Sequence, residues 1–188
     1  MPEQQYREWS EFTPGAWVFG GLAGAGGPQE LTGFVESLLS DMKGWLNAAM
    51  DGRMPQEMCW SPAPGCNSIG FLLWHILRAE DFWVQGHIQG IPEIYESEGW
   101  QRRLGTPPVD NGYQYTMEQV ANLRVPPMEM LLEYGIAVRG RTLDFLRQFT
   151  VEKLGEILRE DLRRLIMEVT LHIGQIAYLR GIQRGLGG

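Results

Sequence analysis

Residues 67–90 read NSIGFLLWHILRAEDFWVQGHIQG. Asn67 or Ser68 supplies a helix N-cap, because a short polar side chain there accepts a hydrogen bond from a first-turn N–H that has no intrahelical partner. Behind it Ile69, Leu73, Ile76, Leu77, Trp83, Val84 and Ile88 recur at helical spacing, and Gly90-Ile91-Pro92 ends the run. One helix cannot bury its own apolar stripe, so this one needs partners of similar length.

Three more such segments lie along the chain. Upstream, Pro28 opens a helix whose apolar positions are Leu31, Phe34, Val35, Leu38, Leu39, Met42, Trp45, Leu46 and Ala49, with Gly52 as its stop. Downstream, a third helix spans about Met128 to Phe149, with Leu131, Leu132, Val138, Thr142, Leu146 and Phe149 inward. A fourth spans about Asp161 to Gln183, with Leu162, Leu165, Ile166, Val169, Ile173 and Ile176 inward. No alternating strand pattern of any length interrupts them. The expectation is an all-α chain: a four-helix bundle of antiparallel helices, with a long connection, 91–127, between the second and third helices and crossing outside the bundle. That connection holds Pro92, Pro107, Pro108, Pro126 and Pro127 and three glycines, with a short helix over Met117 to Leu123. A connection of this length inside a compact domain is often functional.

The domain reading is an irregular N-terminal arm, 1–27, followed by the bundle, 28–188. The arm carries Trp9, Phe12, Trp17 and Phe19, then Gly20-Gly21-Leu22-Ala23-Gly24-Ala25-Gly26-Gly27. Four aromatics are costly to leave in water, so the arm is expected to pack on its own bundle or on a partner subunit. The glycine run has no Lys-Ser/Thr ending and reads as a flexible connection rather than a phosphate loop.

Composition narrows the function. Sixteen Lys and Arg against 23 Asp and Glu give a net charge of −7 over 188 residues. That argues against nucleic acid and against a polybasic membrane anchor, both of which need clustered cations. No apolar run is long enough for a membrane span, and the polar, acidic opening residues do not read as a secretory signal. Two cysteines, Cys59 and Cys66, are too few for a disulfide scaffold. The expected location is the cytoplasm.

The histidines number three, His75, His87 and His172. His75 lies on the shoulder of the second helix's stripe and His172 on the matching shoulder of the fourth. Glu168, four residues before His172, shares its face. Two histidines and a carboxylate on facing helices form a three-ligand metal set with open positions. The same residues also read as a helix-surface Glu–His pair beside a core histidine, and spacing leaves both readings open. His87, over three turns from His75, is read as structural. Glu80 falls within the second helix's stripe and needs a partner: either Arg180, or solvent at a bundle end.

Two segments carry a family resemblance. The run Asn67 to Trp83, with His75 after its apolar turns, resembles the second helix of DinB-like proteins. Glu168-Val-Thr-Leu-His172-Ile-Gly-Gln175 resembles their fourth helix, whose usual pattern is His-x-x-x-His-Arg-Gly-Gln. The resemblance implies a metal-binding four-helix bundle, commonly a homodimer. Relatives use a divalent metal, zinc or nickel most often, with iron or manganese as alternatives, in low-molecular-weight-thiol chemistry as thiol S-transferases and isomerases. Carried over position by position, the ligands are His75, Glu168 and His172; Gln175 and Tyr178, near the same shoulder of the helix, are candidates to support a ligand or contact substrate. This chain departs from the pattern at Glu168, where the family has histidine, and at Ile173, where it has arginine. The carboxylate keeps ligand capacity and adds a negative charge. The expected function is a divalent-metal-dependent enzyme that transfers a small thiol to a small electrophile. The alternatives are a metal-dependent hydrolase and a non-catalytic dimeric metal-binding or stress-response module. A non-haem iron oxygenase shares the two-His-one-carboxylate set and ranks below these. No catalytic base is assigned.

Overall fold

The computed structural model describes residues 28–184 apart from 53, 54, 109 and 149. The arm, 1–27, and Phe149 therefore lie outside the described residues. Four long helices dominate: α1 (Pro28–Met50), α2 (Ile69–Asp81), α3 (Met128–Leu146) and α4 (Arg163–Arg184). Among the described residues there is no strand, and no helix is long and apolar enough to cross a membrane. Ser68 is the cap of α2, its Oγ accepting from the Phe71 N–H at 3.2 Å. Gly52 and Gly90 both adopt positive φ, +61° and +66°, where α1 and the extension of α2 stop.

The helix α2 departs from the expected single stripe. Every residue from Ile69 through Asp81 is buried, because α2 packs against α3 on one side and α4 on the other. The short helix Pro55–Cys59 and the chain around Ile94 cover more of it. A helix enclosed on all sides carries buried polar groups as well as apolar ones, and each then needs a partner. At Phe82 the helix widens into a π-helical run, Phe82–Ile88, which shifts the face presented by the residues after it. A second π-helical turn, Leu158–Leu162, follows the short helix Val151–Ile157 and leads into α4.

Helix α1 packs against α4. Its inward side is Val35, Leu39, Met42, Ala49 and Met50, whereas Phe34 and Trp45, both expected inward, are exposed. Between α1 and α3 runs an apolar groove of about 420 Å³, walled by Met42 and Leu46 on one side and Leu132 and Ile136 on the other.

The connection after α2 does not simply cross outside the bundle. Besides the expected helix at Met117–Asn122, with a capping box between Thr116 and Gln119, it holds two unexpected ones, Ile94–Ser97 and Trp100–Leu104. They put Ile94, Tyr95, Trp100 and Leu104 into the core. Four apolar residues spread over 11 positions show no long period, which is why the sequence reads as loop there.

Glu80 resolves in favour of neither expected arrangement. Arg139 of α3 donates two hydrogen bonds to its carboxylate, each at 2.8 Å, and Thr142 Oγ1 donates a third at 2.9 Å. Burial works to lower the Arg139 pKa, but Glu80 outweighs it and the guanidinium ends above its ordinary value. Arg180, on α4, is not among the hydrogen-bond partners of Glu80.

Candidate metal centre

His75 on α2 and Glu168 and His172 on α4 come together, as the i,i+4 spacing on α4 and the packing of α2 against α4 require. One donor atom from each lies within 4.8 Å of the other two. His75 Nε2 is 3.2 Å from Glu168 Oε1. The two imidazoles meet edge to face with centroids 5.0 Å apart. His75 is buried, while Glu168 and His172 are half-buried, so the group opens to one side.

The backbone of the connection fixes the buried histidine. His75 Nδ1 lies 2.5 Å from the carbonyl oxygen of Asn111. A carbonyl only accepts, so Nδ1 carries the proton and Nε2 is turned toward Glu168 and His172. Phe71 stacks parallel to the ring at 6.0 Å. On the other histidine, His172 Nδ1 pairs with Gln175 Oε1 at 2.8 Å, which likewise directs Nε2 into the group. Neutral Nε2 and an ionised carboxylate 3.2 Å apart are two acceptors facing each other. That contact is favourable only with a proton or a cation between the atoms. The donor set therefore suits a divalent ion: borderline nitrogen and hard oxygen, with hydrogen bonds behind the imidazoles of the kind metal-bound histidines use.

The turn that holds Asn111 is itself held. Asp110 Oδ1 accepts from Gly112 N at 3.0 Å, and Asn111 Oδ1 accepts from Tyr113 N at 3.0 Å, two successive Asx turns. Gly112 has φ +79°, and a Cβ there would lie 2.8 Å from the Trp74 ring. Tyr115 donates its hydroxyl to Asp110 Oδ2 at 2.5 Å. Burial, then the hydrogen bond and charge of Asp110, raise the Tyr115 pKa far above its usual value. From below, Arg78 Nε donates to the Asp110 carbonyl at 2.9 Å. Arg78 also pairs with Glu93 at 2.7 Å, lies 3.6 Å over the Tyr95 ring and donates to the Tyr134 hydroxyl at 3.0 Å. Burial pulls its pKa down, but Tyr134 and Glu93 outweigh that and the net is a rise. Asp81, fully buried, accepts from Tyr134 Oη and from the N–H groups of Ile94 and Tyr95. Arg78, Asp110 and Asn111 thus back the buried histidine. None of the three stands out in the sequence as a site residue, although Asp-Asn-Gly at 110–112 is a strong turn signal.

Gln175 touches His172, as expected, whereas Tyr178 is 71% exposed. His87 is half exposed, edge-on to Trp83 and 3.4 Å from Asp161, well outside the group of three. Cys59 and Cys66 are exposed free thiols bordering one cleft beside the helix Met117–Asn122.

The model of a protein family described as the DinB superfamily matches residues 39–176, well over half of the chain and all three donors. The fold is that of a crystal structure of a conserved protein from Enterococcus faecalis, with TM-score 0.73 and 21% identity over 86% of this chain and 100% of that one. No curated protein matches the chain significantly.

Proposed function

The chain belongs to the DinB superfamily, and on that premise we propose that it is a divalent-metal-dependent enzyme transferring a low-molecular-weight thiol to a small electrophile. His75, Glu168 and His172 are its metal ligands in this reading, with zinc or nickel as the preferred ion. The observation that carries it is the hydrogen bond from His75 Nδ1 to the Asn111 carbonyl, which in the neutral imidazole turns an unprotonated Nε2 toward the Glu168 carboxylate 3.2 Å away.

A divalent ion held there supplies the positive charge that stabilises a thiolate or hydroxide at neutral pH. The protein's residues do the rest. Asn111 and Gln175 hold the imidazoles in one tautomer. Glu168 offsets one charge of the ion, so the site favours an anionic sulfur less strongly than a set of three neutral histidines would. Phe71 and the buried side of α2 keep water from one flank, and the half-exposed flank at Glu168 and His172 admits substrate. In the transfer, sulfur forms a bond to the electrophilic carbon, the leaving group departs with the bonding pair, and the thiol proton passes to solvent; no oxidant is required.

The reading includes a homodimer in the cytoplasm. Met167, Leu171, Tyr178 and Ile182 are exposed and recur at intervals of four, seven and four on one side of α4, a stripe that suits a second helix. Exposed free thiols at Cys59 and Cys66 suit a reducing compartment.

Metal analysis of untagged protein, reconstituted with zinc or nickel and desalted, tests the site. Wild type should retain close to one equivalent, His172→Ala should lose it, and Glu168→His should keep it. The cobalt-loaded protein should develop a thiolate charge-transfer band when cysteine is added. Retention below about 0.1 equivalent by wild type overturns the metal reading and favours a non-catalytic module. Full loading without the band overturns the thiol reading alone.

A further inference from the structure

The groove between α1 and α3 is an apolar concave surface that the candidate metal centre does not use. Ile76 and Leu77 of α2 and Val169 and Ile173 of α4 form its floor. Ile136, on its α3 wall, is 66% exposed. Lys43 is the cation on its α1 wall that no described carboxylate pairs with, since Arg139 is committed to Glu80. A concave apolar trough needs bulky side chains, whereas the flat stripe on α4 suits a helix.

We propose that the N-terminal arm of the same chain fills this groove, with Trp17 and Phe19 as the anchoring side chains. The arm enters the described structure at Pro28, the first residue of α1, so it starts on one wall of the groove. Met42 to Asn47, the α1 residues in that wall, lie 14 to 19 residues further on, about 21–29 Å along the helix at ~1.5 Å per residue. The eight residues Gly20–Gly27 span at most about 26–29 Å when extended. Folded back along α1, that run sets Phe19 and Trp17 level with Met42 and Leu46. Its glycines and alanines present no bulk against the helix on the way, and Leu22 is its one larger side chain. Trp9 and Phe12 continue the aromatic series, and Glu3, Glu8 and Glu11 against the single Arg7 give the arm a net negative charge to meet Lys43. The groove's apolar walls, its separation from Pro28 and Lys43 on its α1 wall all match the arm.

The test places the photo-crosslinking residue p-benzoyl-phenylalanine at Ile136 in the full chain. The position is exposed and tolerates a ring. Equal amounts of nitrogen-14 and nitrogen-15 protein are mixed, irradiated, digested and read by mass spectrometry. The expected product joins position 136 to a peptide containing Trp17 and Phe19 of the same isotope. Mixed-isotope products would mean that a second copy occupies the groove, and absence of any arm peptide would mean that the arm lies elsewhere; either overturns the proposal. In the same background, Trp17→Ser with Phe19→Ser should cut the intrachain product by about tenfold or more, since two buried aromatic side chains are lost. An unchanged yield would remove these two residues as anchors and overturn it.

Discussion

The carbonyl oxygen of Asn111 sits 2.5 Å from His75 Nδ1, across 36 residues of chain. The contact ties the one buried donor of the candidate metal centre to a turn in the connection, and that turn depends on Gly112 at φ +79°.

Gly112→Ala should therefore weaken the site without touching a ligand. A Cβ in the left-handed region costs about 1–2 kcal/mol, and here it also presses on Trp74 at 2.8 Å. We expect a lower thermal midpoint and metal affinity reduced by about 10–100-fold, the range for lost support behind a histidine ligand. A competition titration against a chromophoric chelator measures the affinity. Wild-type affinity in a folded Gly112→Ala protein would break the link between turn and site.

Glu80→Ala should be among the most damaging single changes in α2. It leaves Arg139, whose side chain is 18% exposed, without its carboxylate, and removing one member of a largely buried pair costs about 3 kcal/mol. Arg141→Ala, which loses only a surface pair with Glu98, should leave the urea midpoint within error. Arg180→Met should not reproduce the Glu80→Ala effect, and equal losses would point back to a Glu80–Arg180 partnership.

The Arg78–Asp81–Glu93 cluster makes a prediction about acid. Burial raises the pKa of both Asp81 and Glu93 above the ordinary carboxylate range, partly offset by hydrogen bonds from Tyr134 and Arg78 respectively. The folded state then binds a proton more readily than the unfolded one. The stability tied to these groups is fully present below about pH 4 and is lost as pH rises through the raised values. Asp81→Asn removes that group's dependence. In urea titrations from pH 4 to 7, the stability of wild type minus that of Asp81→Asn should fall with rising pH. A difference that grows with pH contradicts the raised Asp81 value.

Two glycines should respond oppositely to alanine. Gly44, inside α1, has nothing within 4 Å of a built Cβ, so Gly44→Ala should stabilise by about 0.5–1 kcal/mol through helix propensity. At Gly70, at the start of α2, the Cβ would meet Val125 at 2.2 Å and the Met58 carbonyl oxygen at 2.9 Å. There Gly70→Ala should destabilise by about 1–3 kcal/mol. Chemical denaturation of both variants gives the signs directly.

The four helices and their ends were legible in the sequence, because Ser68, Gly52 and Gly90 act locally and the apolar spacing is regular. The Glu168–His172 pair was legible for the same reason, since four residues on a helix are always one turn apart. The encirclement of α2 was not, because Arg78, Glu80 and Asp81 look like an ordinary polar face until neighbours are known. Arg139 as the partner of Glu80 was not legible, because it takes the packing of α2 against α3 to bring the two together. Asn111 acts through its backbone carbonyl, which every residue type possesses, so only the Asp-Asn-Gly turn marked the place.

The donor His75 is 93 residues from Glu168 in sequence. During synthesis α2 leaves the ribosome well before α4, so its histidine has no companions until α4 has emerged. The earlier helices must hold their arrangement, or wait, while α4 is made. Contacts this distant in sequence form late and set a slow step for assembly. Under the proposed metal reading, an ion that needs all three donors can be held only once α4 has been made, so products truncated before α4 should compete poorly for metal.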